Sequence, residues 1–423
     1  MRGIDLSSGQ RVIERPLPKR APLLAALRYR DFRLLWVGLM ISNLGTWMQF
    51  TAMGFFVAQM AGSPHRAALD LGFIGAARAI PVLLLSPLAG VVADTFPRRA
   101  TLVFTNTTMS LAALALAIFS SLNRLNLASL LVISAINSAA NAFDSPSRQS
   151  WVPFLVDRAY VANAIGLNSV AFNAPAVIGP ALAGALILWV GVSGSFYANA
   201  VMTLAVVVAV IMMRPSRPVA QRGESIWQAL RLGIVFLARH PILRWIIVFF
   251  IGTALLVRPY SQLIPAYAIN QLHAGAAGLG WAVAAIGAGG FGGALATAYF
   301  AQRERRSYLW FLAGALMSCG VLVLGIVPTL AIALPLLFLI GLGTLTFLGA
   351  SNVLIQTLAP DEVRGRAISV YTMIAIGVVP LGALLDGTIA SRIGLNWMFV
   401  LAGAVCMVAL AGIWLSRPVI RSV

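Results

Sequence analysis

Charge is what this chain of 423 residues has least of: Asp, Glu, Lys and Arg make up 10% of it, against about 25% in an average soluble domain. Hydrophobic residues make up 60%, and the mean hydropathy is +0.90. No soluble core hides that much apolar surface, so most of the chain has lipid as its solvent. Acid is scarcer than base, 12 residues against 30, and lysine occurs once, at Lys19. In a soluble protein the net charge of +18 would suggest nucleic acid; the placement of the arginines decides that below. Cysteine is limited to Cys319 and Cys406, both in apolar runs and without metal-ligand spacing. They offer no disulfide framework and read as small buried hydrophobes. His65, His240 and His273 fall in or beside loops, and HExxH, GxSxG and phosphate-cradling glycine loops are missing. Enzymatic chemistry, a metal and a cofactor are therefore not expected. Residues 1–33 are basic without an apolar h-region, so they read as a cytoplasmic segment and not as a cleavable signal peptide.

What is there is a succession of apolar runs, each near the roughly 20 residues that span a bilayer. They fall at 34–60, 71–93, 100–121, 127–147, 163–189, 194–213, 244–271, 278–300, 308–328, 330–355, 366–390 and 396–415. An all-α membrane protein with twelve transmembrane helices is expected; continuous runs of this length are unlike the alternation of barrel strands. Arg and Lys set the orientation. With the N-terminus inside, the cytoplasmic segments hold 25 basic residues and the outer loops only Arg66, Arg124 and Arg392, with Arg78 and Arg258 left inside helices. Both termini are thus expected in the cytoplasm. Charge spread over seven short flanks removes the nucleic-acid reading.

The chain also repeats itself. The pair Arg98-Arg99 recurs as Arg305-Arg306, "LVDRAYVANA" is echoed by "LAPDEVRGRA", and "GPALAG" by "PLGALLDG", each a little over 200 residues later. Two pseudo-symmetric six-helix bundles are expected, 34–213 and 244–415, joined by a cytoplasmic linker 214–243, with the tail 416–423 also inside. Parallel halves with a substrate site between them near the midplane are a common transporter design.

The stretch "GVVADTFPRR" resembles the signature between helices 2 and 3 of the major facilitator superfamily, G-x-x-x-D-[RK]-x-G-[RK]-[RK]. Gly90, Asp94, Arg98 and Arg99 match it; Thr95 and Pro97 stand where the family favours a basic residue and a glycine. The phrases "RDFRLLW", "SPLAGVVAD", "NAFDSPSRQ", "IGPALAG" and "DEVRGRAIS" resemble one branch, the exporters related to the enterobactin exporter. The resemblance implies that Asp94, Arg98, Arg99 and, at the end of helix 4, Asp144 latch the two halves together on the inside; topology determination alone is the other reading. The helix 5 stretch "PAVIGPALAG" resembles a second superfamily pattern, G-P-x-x-G-G, associated with exporters that exchange substrate for another ion. Pro175, Gly179, Pro180 and Gly184 carry it, and a merely kinked packing helix is the alternative. Many drug–proton antiporters of the superfamily carry an acid in helix 1 and an Arg within helix 4; neither is expected in the apolar interior of those helices here.

Charges inside the membrane are the sharpest pointers, because each costs roughly 2.5 to 3.5 kcal/mol to insert. Arg78, Arg258 and Asp386 are expected at similar depths towards the outer side. Three readings stay open for them: ion pairs closing the outer face, an anionic substrate held by the arginines, or snorkelling to the surface. Asp386 is also a candidate proton carrier. On the helices that line the cavity in the family, Asn43, Trp47, Gln49, Asn137, Asn141, Tyr260, Gln262, Tyr267, Asn352 and Gln356 form the expected pocket. Each taken singly is as good a candidate for interhelical glue.

The whole reads as a multi-pass secondary active transporter of a bacterial inner (plasma) membrane, monomeric and without cofactors. Export of a small organic molecule, siderophore-like or another anionic metabolite, is expected, with a proton as coupling ion in antiport. Multidrug efflux of amphipathic compounds and import of an organic anion are the alternatives.

Overall fold

A computed structural model describes residues 24–214, 226–300, 306–417 and 419–420; the side chains of 87, 90, 91, 93–95, 226–230 and 376 fall outside the description. Thirteen α-helices run through the described residues: α1 Arg30–Met60, α2 Pro64–Thr95, α3 Arg98–Ser121, α4 Leu127–Trp151, α5 Val161–Met212, α6 Ile226–Arg239, α7 Leu243–Leu256, α8 Tyr260–Ala266, α9 Gly275–Phe300, α10 Arg306–Leu324, α11 Leu330–Leu358, α12 Asp361–Ile393 and α13 Leu395–Ser416. No strand occurs among those residues. Among the described residues, ten segments are long and apolar enough to cross a membrane. One of them, 158–212, is 55 residues long, more than twice what a span needs. It is broken at Gly191, whose φ of 76° and ψ of −177° turn the chain sharply where a side chain would be strained.

Several helices begin or end beyond their apolar runs, because polar residues cap them. Ser63 accepts from the Arg66 amide and Pro64 follows at the first helical position, so α2 starts seven residues before its apolar stretch. Asn126 and Ser129 form a capping box on α4, which continues past residue 147 to Trp151. The run 244–271 is no single helix. It breaks at 257–259 and ends in a π-helical turn, Tyr267–Gln271.

Alternating helix directions define two ends. The base carries the start of α1, the α2–α3 and α4–α5 connections, and the end of α13; the top carries the α1–α2, α3–α4 and α12–α13 turns and Gly191. α2 packs on α4, α4 on α3 and α3 on α5; likewise α9 packs on α11, α11 on α10 and α10 on α13. Two further contacts, α2 on α12 and α5 on α9, join the first five helices to the rest. Both are tight from the top to mid-height, where a Cβ on Gly287 would collide with the Ala176 carbonyl. A Cβ on Gly72 would stand 2.8 Å from the Ala383 carbonyl oxygen, one on Gly184 2.8 Å from that of Ala276, and one on Gly280 2.6 Å from that of Pro180. Towards the base, Gly166 on α5 and Gly365 on α12 face open space. The helices therefore meet at the top and part below.

Candidate substrate cavity

Below the top contacts lies a cavity of about 490 Å³, enclosed by α1, α2, α4 and α5 on one side and α8, α9, α11 and α12 on the other. α1 turns Asn43, Thr46, Trp47 and Phe50 to one side by their spacing of three, four and seven residues; the last three reach this cavity. Trp47 and Phe50 meet edge to face at 5.7 Å. Across from them stand Ser261, Gln262, Ile286 and Leu345, while α9 contributes the bare backbone of Gly287 and Gly290.

Adjoining it, within the first five helices, is a polar side pocket of about 100 Å³ that shares Arg78, Asn137 and Asn141 with the main cavity. Asn43, Gln49, Asn106, Asn199, Asp144 and Arg148 also line it. The amides are tied down: Asn43 Nδ2 donates to the Ala171 carbonyl at 2.9 Å, and Asn199 Nδ2 to Gln49 Oε1 at 2.7 Å. Asp144 Oδ1 accepts from Asn106 at 2.6 Å and Thr105 at 3.2 Å, and its Oδ2 takes Arg148 Nε at 3.2 Å. Both partners of this ion pair are buried, and Arg148 stacks over Phe172 at 4.5 Å. Arg148 Nη1 has no acceptor among the described residues.

Asp144 is thus matched by a cation on its own helix, not by the α3 arginines. Arg98 instead stacks on Phe154 at 4.8 Å, and Arg99 donates to the Ile211 carbonyl. Gly90 and Asp94 lie in α2, but the surroundings of Gly90 and the side chain of Asp94 fall outside the description. Arg148 lies in the last turn of α4, beyond the apolar run, so the apolar interior of helix 4 carries no arginine, as expected. Residues 137, 141, 144 and 148 form one stripe at i, i+4, i+7 and i+11, a signal present in the sequence but cut off where the apolar run ends.

The three membrane charges do not form one layer, and none pairs with another here. Arg78 stands over the Phe50 ring at 5.6 Å and faces both cavities. Arg258 sits in the break before α8, donates to the Ala375 carbonyl at 3.1 Å and stacks on Phe250 at 5.5 Å. Ala375 is eleven residues below Asp386 on α12, about 16 Å at 1.5 Å per residue. Asp386 is 1% exposed, its Oδ1 without a partner, beside the tight α2–α12 contact at Gly387 and Ala68. The estimate of equal depth failed because α2 and α12 both extend past their apolar runs.

Of the other expected pocket residues, Trp47, Gln262, Asn137 and Asn141 line the main cavity, and Asn43 and Gln49 the side pocket. Tyr260 and Tyr267 are core residues; the Tyr267 hydroxyl donates to the Leu324 carbonyl at 2.7 Å. Asn352 and Gln356 lie near the base of α11 and bond to each other. The helix 5 glycines admit neighbours: Gly179 abuts Trp47 and Leu44 of α1, and Gly184 abuts α9. Pro175 and Pro180 are both buried in α5, with the Pro180 carbonyl facing Gly280.

A family model described as transmembrane secretion effector matches residues 21–422. The chain belongs to this family of major facilitator transporters. It is accordingly a multi-pass transporter of the plasma membrane and not an enzyme. Similar members include the multidrug efflux pump Tap of Mycolicibacterium fortuitum, 26% identical over 391 residues that cover 90% of this chain and 92% of Tap. The staphyloferrin A transporter of Staphylococcus aureus is 24% identical over 367 residues, covering 85% and 89% of the two chains. Among solved structures, a bacterial homologue of the human lysosomal transporter Spinster, in an inward-facing and unoccupied conformation, shares the fold. Its TM-score is 0.70 at 14% identity, over 92% of this chain and 96% of its own.

Proposed function

We propose that this transporter exports a small organic molecule bearing an acidic group, by alternating access. The observation that carries the reading is Arg78. Its guanidinium lies at the wall of both cavities, and no carboxylate pairs with it among the described residues. A cation taken out of water is costly until an anion joins it, so an anionic cargo supplies the charge that the cavity wall lacks. Siderophore-like metabolites fit this chemistry and the resemblance to the enterobactin-exporter branch. The name of Tap, a multidrug efflux pump, supports an efflux direction.

Twelve spans follow when 158–212 counts as two and α1 joins the other nine. The packing pattern of α2, α3, α4 and α5, matched by that of α9, α10, α11 and α13, supports two six-helix halves, 34–213 and 244–415. Placing the arginine-rich base in the cytoplasm follows the positive-inside rule, which makes this conformation inward-open. Proton antiport is the proposed coupling, with Asp386 in the top seal and Asp144 beside the cavity as candidate carriers. The latch of Asp94 with Arg98 or Arg99 belongs to the opposite, outward-open state. Multidrug efflux is the second reading, favoured by the apolar walls that Trp47, Phe50, Val82, Ile286 and Leu345 present.

Inverted membrane vesicles with an imposed proton gradient test this. A labelled carboxylate-bearing metabolite should accumulate, its methyl ester much less, and Arg78→Gln should erase the preference. A charged hydrogen bond is worth about 1.5–3 kcal/mol, so the expected loss is about ten- to a hundredfold. Equal uptake of acid and ester would move the assignment to amphipathic efflux. Accumulation only in right-side-out vesicles would make the protein an importer.

A further inference from the structure

At the base, away from the central cavity, α6, α7 and α12 enclose an apolar groove of about 480 Å³ lined by Leu237, Trp245, Val248, Ile251, Val370 and Met373. Val248 and Met373 are exposed, so the groove opens outward to the membrane and not to the substrate path. One rim carries an unusual arrangement. Arg244 and Arg417 both lie over the Trp245 ring, at 5.5 and 4.5 Å from its centre. Neither guanidinium meets a carboxylate among the described residues. The indole Nε1 of Trp245, shielded from solvent, has no acceptor among the described residues.

Measured through the ring centre, the two guanidiniums stand at most about 10 Å apart, and an anion held by both relieves their mutual repulsion. Guanidinium groups match a phosphodiester in shape and charge. An apolar furrow directly beneath such a site, at the depth where α6 meets the first turns of α7, suits the acyl chain of the same molecule. Lipid tails gain little by leaving other lipid tails, so selectivity must come from the headgroup. We infer that this groove binds one anionic phospholipid, its phosphate on Arg244 and Arg417 and one acyl chain along α7 and α12. The lipid would tie α6 and the end of α13 to the half formed by α7–α13, and it acts without touching the transported molecule.

The test uses the full chain in dodecylmaltoside with phosphatidylglycerol or phosphatidylcholine added, and native mass spectrometry to count bound lipid. One phosphatidylglycerol should be retained, favoured over phosphatidylcholine on the order of thirtyfold, the sum of two juxtamembrane arginines. Arg244→Gln with Arg417→Gln should abolish that preference. Arg417→Gln alone, at the exposed end of the last helix, should reduce it to about fivefold and keeps the test valid if the double variant folds poorly. Arg33→Gln with Arg158→Gln, base arginines elsewhere, should leave it intact. Equal retention of both lipids, an unchanged preference in the double variant, or displacement of the lipid by millimolar inorganic phosphate would overturn the assignment.

Discussion

Replacing Gly280 by alanine adds one methyl group where α9 crosses α5. Its Cβ would lie 2.6 Å from the Pro180 carbonyl oxygen and 3.3 Å from the Gly184 Cα. Ordinary contact begins near 3.4 Å, so the helices must separate by about 0.8 Å (3.4 less 2.6). The obstacles are backbone atoms, which cannot swing away as a side chain would. Overpacking of this kind costs about 1–3 kcal/mol. Alanine's better helix propensity is the same in both conformations and cancels. The whole cost therefore falls on the top-closed state, and the population should shift towards top-open by about 5- to 150-fold. A single cysteine at Ser261, in a chain with Cys319→Ser and Cys406→Ala, reports the change through its labelling rate with a membrane-impermeant maleimide added on the top side. Gly166→Ala is the control, since nothing lies within 4 Å of its added carbon. Labelling that is as slow in Gly280→Ala as in its parent would refute the idea that backbone contact seals the top.

Three other perturbations follow from the same geometry. Arg148→Leu leaves Asp144 buried without its cation, so the melting curve in detergent should show a loss of about 3–5 kcal/mol; adding Asp144→Leu should recover most of it, and a double variant no better than the single would contradict the pairing. Asp386→Asn removes a buried carboxyl whose Oδ1 lacks a partner, so labelling from the top should slow; faster labelling would revive a closing ion pair. His240 Nδ1 accepts the amides of Ile242 and Leu243 at 3.3 and 3.1 Å, and burial holds its pKa below the ordinary value of about 6.5. The unfolded chain takes up the proton first, so stability should be full above about pH 6.5 and fall as the pH drops towards the folded value. His240→Gln should flatten that dependence, and an unchanged slope would assign it to another group.

The helical architecture was legible because a bilayer demands long apolar runs, and these are visible without knowing how helices pack. Helix ends were less legible: Ser63 starts α2 seven residues before its apolar stretch and α12 runs on to Ile393, which misplaced Arg78 and Asp386 in depth. Pocket residues were harder, because lining a cavity depends on rotation about the helix axis. Asn137 and Asn141 were found as a pair one turn apart. Tyr260 and Tyr267 were misassigned because the break at 257–259 and the π turn after Ala266 reset that rotation, and nothing in the residue types announces a π turn. Phe50 was overlooked as one apolar residue among many, although it completes the stripe of Asn43, Thr46 and Trp47. The side pocket, which needs five helices to meet, had as its sequence signal only its asparagines and the α4 stripe that continues them to Asp144 and Arg148.

The top contacts at Gly72, Gly184 and Gly280 are made of peptide backbone and bare α-carbons, with no side chain to titrate or to be screened by salt. Electrolyte on that face has little to act on at these crossings, so their contribution to closing holds in brackish and dilute surroundings alike. Such a seal is also hard to retune by single substitutions. Anything larger than hydrogen pries it open, leaving fine adjustment of the resting state to residues elsewhere in the bundle.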